Sequence, residues 1–320
     1  MANTHLLGIH HVTAITESAE DNYKFMTEVL GMRLVKKTVN QDDIHTYHTF
    51  FADDVATPGT DLTFFDFPNI PAKKEGTNSI SRIGLRVPND EALVYYKNRL
   101  EENGIKPSEI EDYFGYQTLT FSDPDGQNYR LYSDTNNKGL EGGIPWKNGP
   151  VPEEFAIHAL GPIEITVAYA EDFTKLMHII YNFQTIDSKD DSTWMEVNNA
   201  GLGGAMIVHH DEDSQQEYQG YGATHHVAFR VEDRDALLYW LDKYNEMGIG
   251  SSGHVDRFYF EALYARIGHI LIELSTDGPG FMQDEPYETL GESLSLPPFI
   301  ESQREYIESQ IRPFDTTREH

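Results

Sequence analysis

The sequence predicts an α+β fold built from four copies of one strand–helix–three-strand (βαβββ) module, grouped two and two into a pair of domains. Three observations predict it. Four short runs, HVTAIT, RIGLRV, EITVAY and HVAFRV, superimpose as module openers, and two closing runs, RLYSD and ELSTD, superimpose in turn. Alternation of apolar and polar residues with period 2 marks a half-buried strand, and self-similarity of this kind marks a repeated supersecondary unit. A helical stretch follows each opener. In three modules it ends near a glycine, Gly31, Gly104 or Gly248, the residue that most readily supplies a left-handed helix stop.

The first module opens with GIHHVTAIT (8–16). A helix is predicted over 19–30, where Ser18 and Asp21 resemble a capping box. RLVKKTV, YHTFFAD and DLTFFDF supply its strands. The second opens with SISRIGLRV (79–87), has a helix over 90–102, and continues through YFGYQTLTFSD, a PDG turn at 124–126 and NYRLYSD. The third opens with GPIEITVAY (161–169), has a helix near 171–181 and closes with GLGGAMIVHH. The fourth opens with ATHHVAFRV (223–231), has a helix over 233–246 and ends in DRFYFEALYAR and HILIELSTD. A stretch rich in Gly, Pro and Asn (136–154) is the natural linker. It divides the chain into an N-terminal domain, 1–135, and a C-terminal domain, 155–278. Residues 279–320 form an extension, with a helix near 300–311, expected to pack across the two halves.

Composition narrows the function classes. The chain has 320 residues and a net charge of −29, from 24 Lys and Arg against 53 Asp and Glu. A surface this acidic repels polyphosphate, so no nucleic acid and no anionic membrane is expected as a partner. The chain has no cysteine, which excludes disulfides, thiolate metal sites and cysteine nucleophiles. No apolar run approaches the roughly 18 residues of a membrane span, and the start MANTHLLGIHHV lacks the plan of a signal peptide. A soluble, cytoplasmic protein is expected.

The residues that carry chemistry are His11, His226 and Glu273. Each lies in a strand-like run, at equivalent points of the repeat. Two imidazoles and one carboxylate form the protein half of a non-haem Fe(II) site with open positions. A carboxylate in the apolar run HILIEL needs a partner, because burying it unpaired is costly, and a cation is one such partner. Alternation sets His11 and Thr13 on one strand face and His10 on the other, and likewise separates His226 from His225. The second module carries Arg82 and Arg130 at the equivalent points, and the third carries Glu164. Two cations cannot ligate a metal, so Arg82 and Arg130 read as salt-bridge partners. The complete ligand set therefore requires the first and fourth modules to meet. A second histidine-rich group, His158, Glu164, His209 and His210, is a weaker candidate site.

Paired modules opening in HHV and closing in a strand that carries Glu resemble the vicinal oxygen chelate superfamily, which contains glyoxalase, bleomycin-resistance proteins and type I extradiol dioxygenases. The segments LLGIHHVTAIT, NYKFMTEVLGMRLVKKTVNQDD, PGTDLTFFDFP, THHVAFRV, DRFYFEALYAR and ILIELSTDGPGF are similar to the ring-cleaving dioxygenases that act on hydroquinones. The resemblance covers essentially the whole chain. It implies two glyoxalase-like domains and an Fe(II)-dependent, extradiol-type ring-cleaving dioxygenase serving quinone detoxification or aromatic degradation. It implies His11, His226 and Glu273 as iron ligands, Tyr264, Arg257, His225 and His10 as catalytic residues, and Thr13 in the substrate pocket. His254, near Arg257 in sequence, is a reserve acid–base candidate at the substrate end. The third module lacks the histidine that catechol-cleaving relatives use, so the catechol-type arrangement is not expected.

The implied partners are a small aromatic substrate and O2. Mn(II) remains open beside Fe(II), Zn(II) is a conceivable non-native occupant, and both a monomer and a homo-oligomer remain open. Two other readings keep the fold. A glyoxalase-like isomerase or hydrolase would want a second carboxylate ligand, for which the first module offers only Asp66, in uncertain register. A bleomycin-resistance-like binding protein would not need a complete ligand set.

Overall fold

The computed structural model describes residues 4–318. Its elements repeat the βαβββ plan four times. The first module comprises β1 (Ile9–Ile15), α1 (Ala19–Lys24), β2 (Arg33–Asn40), β3 (Asp43–Ala52) and β4 (Asp61–Asp66). The second comprises β5 (Ser79–Val87), α2 (Asp90–Glu102), β6 (Glu111–Tyr113), β7 (Tyr116–Ser122) and β8 (Asn128–Ser133). The third comprises β9 (Ala159–Val167), α3 (Ala170–Tyr181), β10 (Gln184–Lys189), β11 (Ser192–Glu196) and β12 (Ala205–His210). The fourth comprises β13 (Thr224–Val231), α4 (Arg234–Met247), β14 (Ser251–Asp256), β15 (Phe260–Ile267) and β16 (Ile270–Pro279).

Local chemistry sets the helix ends. Ser18, Asn89 and Asp233 are N-caps whose side chains accept from the backbone N–H three residues on, satisfying a donor the helix leaves unpaired. Gly248 and Asn182 end α4 and α3 in the left-handed conformation. The first helix departs from expectation. It continues after Lys24 as a π-helical turn, Phe25–Val29, and buries Phe25, Met26 and Thr27.

The strands form two curled eight-stranded sheets. Their orders are β14-β15-β16-β13-β1-β4-β3-β2 and β10-β11-β12-β9-β5-β8-β7-β6. In each, two modules join through an antiparallel pairing of their opening strands, β1 with β13 and β5 with β9. Within each module the opener runs parallel to the closing strand. The sheets do not follow the division by sequence half. The first combines modules one and four, the second modules two and three, so neither 1–135 nor 155–278 alone contains a complete sheet. One core of buried residues joins both sheets and all four helices, including Leu30, Tyr96, Met177 and Trp240. Edge strands β6, β10 and β14 are polar and largely exposed. They lack a buried face, hence the alternation that would announce them.

The C-terminal extension packs on the first sheet. Leu296, Ile300, Ile307 and Ile311 cover Val39 and Tyr47, while Phe281 and Leu290 join Val35 and Phe50 to Tyr259 of module four. The Lys36 ammonium, fully buried, bonds Asp284 at 2.7 Å and also Glu285. The extension thus ties modules one and four together. Its last helix, α5 (Arg304–Gln310), is shorter than expected.

Candidate metal centre

At the junction of β1 and β13 the first and fourth modules bring His11, His226 and Glu273 together. Their facing atoms lie within 4.8 Å of one another, and theirs is the only such group of metal-ligating side chains found among the described residues. His11 Nε2 is 3.2 Å from Glu273 Oε2, His226 Nε2 is 2.9 Å from it, and the two Nε2 atoms are 3.3 Å apart. All three residues are buried, Glu273 completely. Ligand atoms about 2.1 Å from one divalent cation stand about 3.0 Å apart at right angles and about 3.4 Å apart in a tetrahedron. The observed spacing suits that range.

Hydrogen bonds orient the imidazoles. His10 Nε2 lies 3.1 Å from the Thr276 carbonyl, which can only accept, so that nitrogen carries a proton. Burial, then the neighbouring His11, holds the His10 pKa down to about 3, so the ring is neutral and its Nδ1 bare. His11 Nδ1, 2.9 Å away, therefore donates to it, which turns His11 Nε2 toward the cluster. His226 Nδ1 likewise lies 2.8 Å from His225 Nδ1. The His225 pKa is also lowered to about 3, by burial and then by His226. Glu273 Oε1 accepts from Ser275 at 2.8 Å. Oε2 is buried and makes no properly angled hydrogen bond. Burial pushes the Glu273 pKa up, but His11 and His226 outweigh it and hold the carboxyl well below its usual range. Lone pairs and a carboxylate oxygen converging in a dry site repel unless a cation lies among them. The donor set fits a metal.

Two β-bulges explain why the neighbouring histidines reach the ligands. The β1–β13 register shifts between Ile9 and His11, and again between Thr13 and Ala14 opposite His225. An extra residue on one strand breaks strict alternation. His10 and His225 therefore meet His11 and His226 directly, where alternation alone set them on opposite faces.

A cavity of about 490 Å³ opens beside the ligands. Module one contributes Thr38, Asn40, Gln41, Asp42, His48, Phe50, Phe65 and Phe67; module four contributes His225, Val255, Arg257, Tyr264 and Leu271. Tyr264 sits edge-on to His226, with ring centroids 5.9 Å apart. Burial, then the Glu273 charge, raises its pKa well above the usual value, so it remains a phenol. Arg257 donates from Nε to the Tyr264 hydroxyl at 3.3 Å and grips Asp42 through both terminal nitrogens.

Two expected pocket residues lie elsewhere. Thr13 is fully buried and bonds Thr63 Oγ1 at 2.7 Å, beneath the cavity and not on its wall. His254 stands on edge strand β14 and pairs with Glu261 at 2.7 Å, outside the cavity. His10 lies behind His11, its ring 5.3 Å from that of Phe260. Of the second histidine-rich group only Glu164 and His209 meet, at 3.0 Å. His158 pairs with Asp134, and His210 faces Glu212.

The register also shows what stands opposite Glu273. Glu273 pairs with Ala228, two residues beyond His226; in module one Thr63 pairs with Thr13, two residues beyond His11. The fourth corner of the cluster is therefore Thr63. Asp66, the carboxylate a glyoxalase-type site would need, accepts from the Ala19 backbone N–H and pairs with Arg312. Sequence reasoning missed His48, whose Nε2 lies 2.9 Å from Thr63 Oγ1. Its place in the alternating run YHTFFAD was the available signal.

Comparison with known proteins agrees with this architecture. The model of the Glyoxalase/Bleomycin resistance protein/Dioxygenase superfamily matches residues 8–130. A Bacillus subtilis protein named "Putative ring-cleaving dioxygenase MhqA" is 46% identical over 312 residues, 96% of this chain and 98% of that one. The "Chlorohydroquinone/hydroquinone 1,2-dioxygenase" of Sphingobium indicum is 29% identical, covering 94% of each chain. A crystal structure of a "putative dioxygenase" from Bacillus subtilis superimposes with a TM-score of 0.90 at 31% identity, over 99% of this chain and 100% of that one.

Proposed function

Because the chain belongs to the glyoxalase/bleomycin-resistance/dioxygenase superfamily and, within it, to the ring-cleaving dioxygenases, we propose that it is an Fe(II)-dependent enzyme that opens hydroquinone-type rings with O2. The observation that carries this reading is the His11, His226 and Glu273 cluster on the wall of an aromatic-lined cavity. Two imidazoles and one carboxylate with open positions are the donor set of non-haem Fe(II) oxygenases. Mn(II) takes the same donors. Iron held there would lower the pKa of a bound phenol and bring it and O2 into one coordination sphere.

The protein's own part is positioning, proton management and exclusion of water. Phe50 and Phe65 offer apolar faces to the cavity, and Tyr264 lines it from module four. The neutral Tyr264 hydroxyl can donate to an oxygen developing negative charge, and the Arg257 guanidinium beside it adds a fixed positive charge. His10 and His225 hold the ligand imidazoles in orientation. Hydroquinone substrates fit a role in the detoxification of quinones or in aromatic degradation. The alternative isomerase chemistry is disfavoured because Thr63, not a carboxylate, occupies the fourth corner.

The test is anaerobic loading with Fe(II), then oxygen uptake with 2-methylhydroquinone and with catechol. Uptake with the hydroquinone is expected, and uptake with neither would overturn the reading. The His226→Ala protein should lose the bound metal. Stoichiometric iron retained by that variant would mean that the ligands lie elsewhere.

A further inference from the structure

We propose that His48 recognises the second ring hydroxyl of the substrate, the one turned away from the metal ligands. The inference rests on the hydroquinone reading above. His48 stands on β3 and lines the cavity together with Tyr264 and Arg257 of module four. One of its nitrogens is committed: Nε2 lies 2.9 Å from Thr63 Oγ1, and Thr63 is itself held 2.7 Å from Thr13 Oγ1. Nδ1 makes no hydrogen bond among the described residues. The imidazole therefore offers the cavity a single free hydrogen-bonding atom.

Its plane is fixed as well. The ring packs against Phe50 at 4.0 Å and Phe65 at 4.4 Å between centroids. Phe50 and Phe65 give the imidazole an apolar surround, which suits a flat ring carrying one hydroxyl on that side. Burial, then the charges of His11 and His226, disfavours the imidazolium form. A neutral ring that donates through Nε2 to Thr63 presents a bare Nδ1, able to accept a phenolic O–H. Tyr264 is engaged by Arg257 and Arg257 by Asp42, while Thr38, opposite His48 on β2, lines the cavity with an Oγ1 that has no partner among the described residues. A site built around such an acceptor discriminates against an analogue lacking the hydroxyl, because the acceptor is then left unpaired.

The experiment compares anaerobic binding of 2-methylhydroquinone and 3-methylphenol, which lacks the second hydroxyl, to the iron-loaded protein and to its His48→Phe variant. The normal protein should favour the hydroquinone by about tenfold or more. His48→Phe keeps an aromatic wall and should keep the metal at full stoichiometry, yet reduce that preference to less than about threefold. His48→Gln, with a polar tip, should recover part of it. His48→Leu is read in the same way if phenylalanine impairs folding. Undiminished preference in His48→Phe or His48→Leu overturns the proposal and leaves the ring-cleavage reading standing. Failure of the normal protein to bind either compound overturns the reading itself, and this proposal with it.

Discussion

The two sheets solve one problem in opposite ways. Each cradles a buried carboxylate where two opening strands meet. In the first the four corners are His11, His226, Thr63 and Glu273. In the second the same register positions hold Arg82, Glu164, Arg130 and His209. Glu164 accepts from Arg130 Nε at 2.8 Å and pairs with His209 at 3.0 Å and Arg82 at 3.4 Å. Its carboxylate is balanced by guanidinium groups of the chain itself. Glu273 has imidazoles, the Tyr264 phenol and a serine hydroxyl around it, and among the described residues no guanidinium or ammonium group pairs with it. The second cradle is also filled. Tyr116 stacks on Trp194 with centroids 5.5 Å apart, Arg130 lies over the Tyr113 ring at 3.9 Å, and Tyr132 and Phe114 close the remaining space. Function resides where the repeat leaves both a charge and a volume uncompensated.

The sharpest way to break this contrast is to remove the carboxylate that needs a cation. Loss of partners one shell out from a metal typically costs 10–100-fold, so loss of a ligand should cost more. Glu273→Gln should lower turnover by about 10³-fold and abolish stoichiometric metal binding. Metal at a hundred times its Kd should stabilise the normal protein by about 2.7 kcal/mol, and this shift should vanish in the variant. A variant that still shows the metal-dependent rise in Tm would erase the distinction between the cradles.

The converse substitution tests the other side. Glu164→Gln removes the buried charge beside Arg130, leaving it the exposed Glu111 at 3.3 Å as its anionic partner, and breaking a buried pair typically costs about 3–5 kcal/mol. Metal content and activity per folded molecule should not change. The pH dependence follows from the same pairing. Burial pushes the Glu164 pKa up, but His209, Arg130 and Arg82 overcome it and lower the pKa from 4.5 to about 2. A depressed carboxylate contributes stability that is complete above the ordinary value and is lost as pH falls through the folded one. Between pH 5 and pH 3 the normal protein should lose about 2 kcal/mol that Glu164→Gln does not lose. Urea unfolding at the two pH values measures the difference; equal losses would remove the ion pair from the account.

Much of this asymmetry was legible in the sequence. The repeat exposed the openers, and superposing them put His11, Arg82, Glu164 and His226 at one position. The charges then showed which junction could take a metal. Side-chain direction was less legible. One inserted residue on each opening strand turns His10 and His225 toward the ligands, and no residue type marks either bulge. Register was hidden too. Whether Thr63 or Asp66 faces His11 depends on a parallel pairing between strands about 50 residues apart, which alternation along either strand cannot fix. The same uncertainty concealed His48 and placed Thr13 on the wrong side of the cavity floor. The pairing of module one with four, and of two with three, could be required by the ligand set but not read from local pattern.

The smallest expected effect lies at the mouth of the first cradle. There Arg257 joins the β14–β15 connection to Asp42 of the β2–β3 turn, at 2.8 and 3.2 Å, and Gln41 reinforces the link by donating to the Arg257 carbonyl at 2.9 Å. Asp42 is 71% exposed while Arg257 is 18% exposed. An ion pair with one partner in solvent contributes no more than about 1 kcal/mol and is screened by salt. Asp42→Asn should therefore leave Tm unchanged and alter KM by no more than about fivefold, and high salt should bring the normal protein toward the variant. If kcat falls while KM holds, Asp42 aims Arg257 at the reacting oxygen and does not merely join two loops. The split between kcat and KM decides which role this pair plays.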